Sequence, residues 1–333
     1  MTDTQPAPEP RIVSLLGDGD ERTLASDVRE GLSRPLKEIP PKHFYDTAGG
    51  ELFDRICDLP EYYPTRAERA ILEGQSAEIV AATGLGELVE LGSGTAEKTM
   101  VLLRAAAADG SLERFVPVDV TEQMVRDCAA RCARELPAVE VVGVVGDFGR
   151  HLDEIPGPGE AVPRVVALLG GTIGNFEPGE RRQLLAEVAG LLRPESDFLL
   201  LGTDLVKDRD VLVAAYDDSA GVTAEFNRNV LRVINRELGG HFDPEAFEHV
   251  AVWDEDEEWI EMRLRAPQAM SVPIDALGMT VELAAGEEIR TEISAKFTLE
   301  RLAGDLAAAG LEPARTFHDP DRLFALSLSR PAV

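Results

Sequence analysis

The feature that most constrains the fold is a regular alternation of apolar segments and amphipathic helices between residues 87 and 202. The apolar segments, which predict strands, lie at 87–91, 114–119, 139–145, 164–169 and 197–202. Helical periodicity separates them at 98–108, 121–135 and 181–192. Such uniformly apolar strands are typical of a parallel sheet covered on both faces. Right-handed crossovers then bring the carboxyl ends of these strands to one edge, where folds of this kind bind ligands.

The regions on either side of this alternation differ from it. A helical stretch at 209–237 precedes several antiparallel strands within 249–294, and the chain ends in a helix at 299–309 and a hairpin at 314–328. A closing hairpin favours a methyltransferase-type sheet, whose last strand is antiparallel, over a dehydrogenase-type sheet. The predicted fold class is therefore α/β: a Rossmann-like class I methyltransferase sheet with a smaller α+β substrate domain inserted late in the chain.

This pattern also predicts the domain organisation. We expect a disordered tail, an N-terminal segment that joins the substrate domain, an adenosylmethionine-binding core, a substrate-binding insert, and a helix and hairpin that complete the core. The corresponding ranges are 1–12, 13–80, 81–205, 206–296 and 297–333.

Charge and composition exclude several classes of function. The net charge of −28 repels phosphate backbones and anionic lipids, so neither nucleic acid nor membrane is an expected partner. The three cysteines, Cys57, Cys128 and Cys132, have no zinc-site or disulfide-framework spacing. There is no signal-peptide core and no apolar run of membrane-spanning length. We expect a cytoplasmic protein without a metal, and a monomer because no long apolar stripe is exposed.

A glycine-rich turn follows the first predicted strand, in the run ELGSGTAEK at 90–98. Gly92 and Gly94 allow the backbone to approach a ligand closely. A dinucleotide fingerprint would require a third glycine at position 97, where Glu97 would repel a pyrophosphate. The cation adenosylmethionine suits this acidic turn better, with Lys98 available to its carboxylate. A purely structural turn is the alternative.

Polar and aromatic residues also end the next two predicted strands. Asp119 can accept hydrogen bonds from both ribose hydroxyls, although a place near the start of the following helix is the alternative. Asp147 can accept the adenine amino group and Phe148 can lie against the base, while a solvated loop aspartate is the alternative. Three suitable groups at three successive strand ends favour adenosylmethionine as the cosubstrate.

The fourth strand ends in the run LGGTIGNF at 169–176. Its glycines predict a close approach of the backbone to a ligand at the expected point of methyl transfer. Asn175 can both donate and accept a hydrogen bond, as a nucleophilic amine requires. A loop-stabilising asparagine is the alternative.

Two further runs identify a family. KHFYDTAGGELFD at 42–54 and LPEYYPTRAE at 59–68, together with the two glycine-rich runs, resemble the histidine Nα-methyltransferases of ergothioneine biosynthesis. The resemblance extends from about residue 12 to the end of the chain. It implies an adenosylmethionine-dependent enzyme that trimethylates the α-amine of free L-histidine to give hercynine.

The resemblance also implies roles for individual residues. It assigns adenosylmethionine binding to Tyr45, Gly92, Lys98, Asp119, Asp147 and Phe148. It assigns histidine binding to Tyr62, Gly170, Asn175, Tyr216, Met262, Glu292 and Ser294. Tyr62, Asn175 and Tyr216 form the expected catalytic set, in which the two tyrosines anchor the carboxylate and Asn175, with the Gly170 backbone, orients the amine.

The imidazole end of this expected site lies in a predicted strand. Alternation places Glu292 and Ser294 on one face, where they can accept from and donate to the two ring nitrogens of imidazole. A solvated strand face is the alternative for this pair, and apolar packing is the alternative for Met262.

Three rival functions remain open from the sequence. The first is a methyltransferase for another amino acid such as tryptophan or tyrosine, against which a carboxylate at Glu292 argues. The second is a non-catalytic adenosylmethionine-binding module that regulates a partner. The third is a nicotinamide-dependent oxidoreductase, which Glu97 disfavours.

Overall fold

A computed structural model describes residues 10–17, 24–157 and 162–332. Its strands, numbered in chain order, are β1 Arg11–Ser14, β2 Lys37–Glu38, β3 Glu87–Leu91, β4 Arg114–Asp119, β5 Glu140–Val145, β6 Arg164–Leu168, β7 Phe198–Asp204, β8 Glu248–Asp254, β9 Trp259–Arg265, β10 Met270–Ile274, β11 Met279–Leu283, β12 Glu288–Ala295, β13 Leu311–His318 and β14 Phe324–Pro331. Its α-helices are α1 Leu24–Gly31, α2 Thr47–Cys57, α3 Pro64–Thr83, α4 Thr99–Asp109, α5 Glu122–Glu135, α6 Pro178–Gly190, α7 Arg209–Tyr216, α8 Val222–Leu238 and α9 Leu299–Ala308.

The larger sheet has eight strands in the order β1-β5-β4-β3-β6-β7-β14-β13. β1 and β3 to β7 pair in parallel, while β14 is antiparallel to both of its neighbours. The predicted parallel sheet with a closing antiparallel hairpin is thus confirmed. The order of strands reverses at β3, so the crevice at its carboxyl end is the expected ligand site.

The second unit is built on a four-stranded sheet in the order β2-β12-β9-β8, with the hairpin β10-β11 as a separate two-stranded sheet. Its core contains residues of β9 and β12 together with α7, α8 and the chain before residue 64, including Phe44, Phe226 and Ile260. The late insert and the part of the chain before residue 64 therefore contribute to one apolar core. The exact domain boundaries stay a prediction.

Three local features differ from the sequence expectation. β1 extends the large sheet by parallel pairing with β5, so residues 11 and 12 are ordered strand where a tail was expected; residues 1–9 lie outside the described part of the chain. α3 packs into the core of the large sheet through Ile71 and Ile79, although it falls in the segment assigned to the substrate domain. The predicted helix 209–237 is divided into α7 and α8 by residues 217–221: Asp217 leaves the helical conformation, and Gly221, with a left-handed φ of 71°, precedes α8.

None of the helices within 24–157 and 162–332 is long and apolar enough to span a bilayer. Over the same stretches, His, Cys, Asp and Glu side chains form no group of three or more that could hold a metal ion.

Candidate active site

The glycine-rich turn between β3 and α4 has the backbone conformation that requires glycine. Gly92 and Gly94 have φ values of 71° and 48°. A Cβ atom added at Gly92 would lie 3.5 Å from the ring of Phe148, so the turn and this ring lie close to each other. Beneath the turn, buried Glu90 pairs with the Thr99 hydroxyl, and burial raises the pKa of its carboxyl to about 8. Glu90 is therefore mostly uncharged at neutral pH, and the negative charge near the turn comes from other carboxylates.

Asp119 ends β4 beside this turn. Its Oδ2 accepts the backbone N–H of Gly94 at 3.0 Å, and its Oδ1 accepts the N–H of Thr121 at 2.9 Å. Each carboxylate oxygen keeps a further lone pair, which suits it to ribose hydroxyls. The structure therefore gives Asp119 the local turn role considered from sequence while leaving it able to bind a ligand.

Asp147 and Phe148 follow β5 on the same edge. Asp147 accepts the backbone N–H of Gly149 at 2.9 Å, and its own N–H donates to His151 Nδ1 at 3.1 Å. The Phe148 ring lies 6.3 Å from that of Phe176, centroid to centroid. This contact links the predicted adenine site to the loop that follows β6.

Glu68, which sequence reasoning did not place in the site, lies between two residues that it did. This carboxylate is fully buried in α3; its Oε1 accepts the backbone N–H of Gly170 at 2.8 Å, and its Oε2 forms an ion pair with Lys98. A Cβ atom added at Gly202 would stand 2.5 Å from Oε1, so that glycine makes room for the carboxylate. Because the Gly170 N–H is engaged, its carbonyl is the group that can face an amine.

The loop after β6 carries Asn175 toward the second sheet. Gly170 and Gly171 have φ values of 75° and 72°, and a 3₁₀ turn at Thr172–Asn175 follows. A Cβ atom added at Gly174 would lie 2.8 Å from the carbonyl oxygen of Ala295 in β12. Only glycine allows this approach, which brings half-buried Asn175 beside the strand of Glu292 and Ser294.

Glu292 lies in a largely aromatic pocket of the second unit. The pocket is lined by residues of α2, α7, α8, β9 and β12 and of the loops at 45 and 62, namely Tyr45, Phe53, Ile56, Tyr62, Ala215, Tyr216, Thr223, Phe226, Met262 and Glu292. Met262 is paired with Glu292 across β9 and β12. Burial raises the pKa of Glu292 to about 7, opposed by the charge of Lys296. The carboxyl can therefore bind or release a proton near neutral pH.

Two tyrosines form one wall of this pocket. The rings of Tyr62 and Tyr216 lie 6.3 Å apart in an edge-on arrangement. Burial raises the pKa of Tyr62 well above its ordinary value and also raises that of Tyr216. Both hydroxyls are therefore neutral donors near physiological pH, not bases.

The hydroxyl of Tyr216 lies in a buried polar network. Its Oη is 2.7 Å from Ser294 Oγ, and Lys296 Nζ donates to Tyr216 Oη at 2.9 Å and to Ser294 Oγ at 2.8 Å. The backbone of Tyr216 is also held, because its carbonyl accepts from His249 Nε2 at 2.8 Å. Tyr216 is thus directed toward Ser294, one of the two residues expected at the imidazole, whereas the family resemblance assigns Tyr216 to the carboxylate.

Tyr45 lines the same pocket, and burial, together with the negative charges of Glu292 and Asp119, raises the pKa of its phenol. Its ring contacts those of Phe53 and Phe226 at 5.6 Å each and lines the Glu292 pocket, with 43% of the residue exposed. The family resemblance assigns Tyr45 to the cosubstrate, and this role stays a prediction.

The fold and this edge of the sheet together define a class of protein. A Rossmann-like sheet with an antiparallel closing strand, a glycine-rich turn after the central strand, and carboxylates after the next two strands is the arrangement of an adenosylmethionine-dependent methyltransferase. Within this class, the profile of the family described as histidine-specific, SAM-dependent methyltransferases matches residues 24–331, and the chain belongs to that family.

Individual relatives support this membership. The chain is 52% identical to the histidine N-alpha-methyltransferase of Mycolicibacterium smegmatis, over 95% of this chain and 97% of that protein. It is 53% identical to the histidine N-alpha-methyltransferase of Mycobacterium tuberculosis, over 96% of this chain and 98% of that protein. It is 32% identical to ergothioneine biosynthesis protein 1 of Schizosaccharomyces pombe, over 68% of this chain and 31% of that longer protein.

Proposed function

We propose that this protein methylates the α-amine of free L-histidine three times to give hercynine, the first step of ergothioneine biosynthesis. The observation that carries the proposal is the adjacency of the glycine-rich edge, through Asn175, to a pocket that holds Glu292 beside aromatic and apolar side chains. A carboxylate there, with the Ser294 hydroxyl two positions along the same strand, suits imidazole, which has a second ring nitrogen that indole and phenol lack. An indole or phenol substrate would be better matched by an apolar residue at that position.

The residues of the glycine-rich edge fit adenosylmethionine. Gly92 leaves the space beside Phe148 that a side chain would fill, and Asp119 and Asp147 provide acceptors at successive strand ends. Lys98, held by Glu68, offers a positive charge near Gly170 for a carboxylate. Adenosylmethionine supplies an electrophilic methyl group on a cationic sulfur.

The chain's own residues would act by positioning. In each transfer a nitrogen–carbon bond forms as the carbon–sulfur bond breaks, and the amine releases one proton. Alignment of two reactants can contribute about 7–11 kcal/mol to catalysis. We assign the orientation of the amine to Asn175 and the Gly170 carbonyl, the carboxylate to Tyr62, and the imidazole to Glu292 and Ser294. No ionised tyrosine acts as a base in this proposal, because burial raises the pKa of both pocket tyrosines.

One experiment tests the substrate. The purified protein is incubated with adenosylmethionine and each of the twenty amino acids, and the products are weighed by mass spectrometry. We expect histidine alone to gain three methyl groups. Methylation of tryptophan or tyrosine instead would show that the enzyme acts on another amino acid. Binding of adenosylmethionine without any methylated product would favour a regulatory module. Monomeric state and cytoplasmic location stay predictions from the sequence.

A further inference from the structure

Lys296 is a buried cation beside the pocket that the proposed mechanism leaves unused. The residue is 0% exposed and lies two positions after Ser294 in the chain. Its Nζ contacts Tyr216 Oη at 2.9 Å, Ser294 Oγ at 2.8 Å and Asp204 Oδ2 at 2.9 Å. An ammonium group has three N–H donors and no acceptor, so these three contacts use every donor and fix its orientation.

The charge of Lys296 is not required to balance Asp204. Lys207 also forms an ion pair with Asp204, through Oδ1, and the Tyr63 hydroxyl donates to the same carboxylate at 2.8 Å. The two ammonium groups thus share one directly bonded carboxylate, while Glu292 and Asp319 supply more distant negative charge. Replacement of Lys296 by a neutral residue leaves the Lys207–Asp204 pair intact. The distinctive contacts of Lys296 are therefore those with Tyr216 and Ser294.

The hydroxyls of Tyr216 and Ser294 are 2.7 Å apart and share one hydrogen bond. A phenol is a stronger acid than an aliphatic hydroxyl, and Lys296 donates to the phenol oxygen, which strengthens the phenol further as a donor. We therefore take Tyr216 as the donor in this bond. Ser294 Oγ then accepts from both Lys296 and Tyr216, which occupies its two lone pairs.

We propose that Lys296 is a positioning residue that makes Ser294 an obligate hydrogen-bond donor, so that the pocket selects a neutral heterocycle with one acceptor nitrogen and one N–H nitrogen. This inference rests on the proposed function, in which Ser294 and Glu292 face the two ring nitrogens of histidine. Ser294 donates to the unprotonated nitrogen, and Glu292 accepts from the other. A ring that presents C–H or N–H to Ser294 leaves a buried hydroxyl proton unpaired, which is costly.

The test compares two replacements of Lys296 that differ in one chemical property. Lys296→Arg keeps a cation that only donates, whereas Lys296→Gln brings an amide oxygen that can accept the Ser294 proton. The substrates are histidine and the two pyrrolylalanines, each of which keeps one ring N–H and replaces the other nitrogen by C–H. Initial rates of methylation give kcat and KM for each pair, and calorimetry with S-adenosylhomocysteine reports whether each variant retains its fold and cosubstrate site.

We expect the wild type and Lys296→Arg to prefer histidine over the better pyrrolylalanine by at least about 10-fold in kcat/KM. In Lys296→Gln this preference falls at least about fivefold, mainly through KM, while the affinity for S-adenosylhomocysteine is retained. Equal preference in Lys296→Gln and the wild type overturns the inference. So does an equal loss of preference in both variants, which would make Lys296 a merely structural residue.

A measurement on the wild type does not depend on the folding of any variant. Histidine labelled with ¹⁵N in the ring is bound to the protein with S-adenosylhomocysteine at a pH near the Glu292 pKa of about 7. At that pH part of Glu292 is ionised, and part of the free imidazole, whose ordinary pKa is about 6.5, is still protonated. We expect one protonated and one unprotonated ring nitrogen in the NMR spectrum. A bound imidazolium, with both nitrogens protonated, overturns the inference even when histidine is methylated. If the wild type does not methylate histidine, the proposed function fails and this inference fails with it.

Discussion

The carboxylate of Glu68 accepts the backbone N–H of Gly170 at 2.8 Å across 102 residues of sequence. The same carboxylate pairs with Lys98, so one side chain of α3 connects the start of α4 to the loop after β6. Both contacted segments carry residues that we assign to the two substrates. Glu68 therefore couples the geometry of the cosubstrate site to that of the methyl-transfer loop.

Glu68→Ala is expected to destabilise the fold by about 1–3 kcal/mol, because the Gly170 N–H loses its buried acceptor. Glu68→Gln keeps an oxygen for that N–H and presents an amide NH2 group to Lys98, so its loss is confined to the Lys98 ion pair and is smaller. Urea unfolding of the three proteins measures the difference. Identical unfolding curves would show that neither contact stabilises the fold.

Asp119→Ala is expected to weaken the binding of S-adenosylhomocysteine by about 10- to 100-fold, since charged hydrogen bonds of this kind contribute most strongly. Asp127→Ala, on the exposed face of α5, is the matched control and should bind normally. Isothermal calorimetry measures both. Normal affinity in Asp119→Ala would remove this residue from the cosubstrate site.

Glu292→Ala is expected to weaken histidine binding severely while the affinity for S-adenosylhomocysteine stays nearly unchanged. The reason is that Glu292 lines a pocket of the second unit, whose lining includes no residue of the glycine-rich turn. Calorimetry with each ligand tests this prediction. A parallel loss of both affinities would argue for a general loss of structure.

Histidine binding is also expected to depend on pH through Glu292, whose pKa burial raises to about 7. Lowering the pH from one unit above that value to one unit below it protonates the acceptor for the ring N–H and weakens binding. Glu292→Gln cannot titrate, so it reports the pH dependence of histidine itself, and the difference between the two proteins isolates Glu292. Parallel curves for the two proteins would contradict the prediction. For folding the sign is opposite: the raised pKa stabilises the fold at low pH, and this contribution is lost as pH rises through about 7.

His249 is expected to make the fold less stable in mild acid. Its Nε2 must carry the proton to donate to the Tyr216 carbonyl, and its Nδ1 then accepts from Asn227 Nδ2 at 2.8 Å. Burial lowers the pKa of this neutral imidazole below 6.5. As pH falls below that value the unfolded chain binds a proton that the folded chain excludes, so stability falls by up to about 1.4 kcal/mol per pH unit. His249→Gln should show a shallower fall in urea unfolding between pH values on either side of 6.5, and an unchanged slope would refute the assignment.

The polar residues that sequence reasoning missed share one property. Glu68, Asp204 and Lys296 are buried charged side chains in segments whose local pattern is ordinary helix or strand. Glu68 belongs to the run at 59–68 that carries the family resemblance, which is the only signal that could have singled it out. A charge at the end of a buried strand, as at Asp204, is a weaker hint.

The chain's periodicity determined the large sheet by itself, because uniformly apolar strands alternating with helices bury their surface in few other ways. Glycines followed by carboxylates at successive strand ends likewise located the cosubstrate edge, since parallel strands all end on the same side. The partners of Lys296, the place of Tyr45 and the edge strand β1 depended on the tertiary structure. These contacts join segments that are far apart in the chain, and the local sequence does not specify which distant residues a side chain will contact.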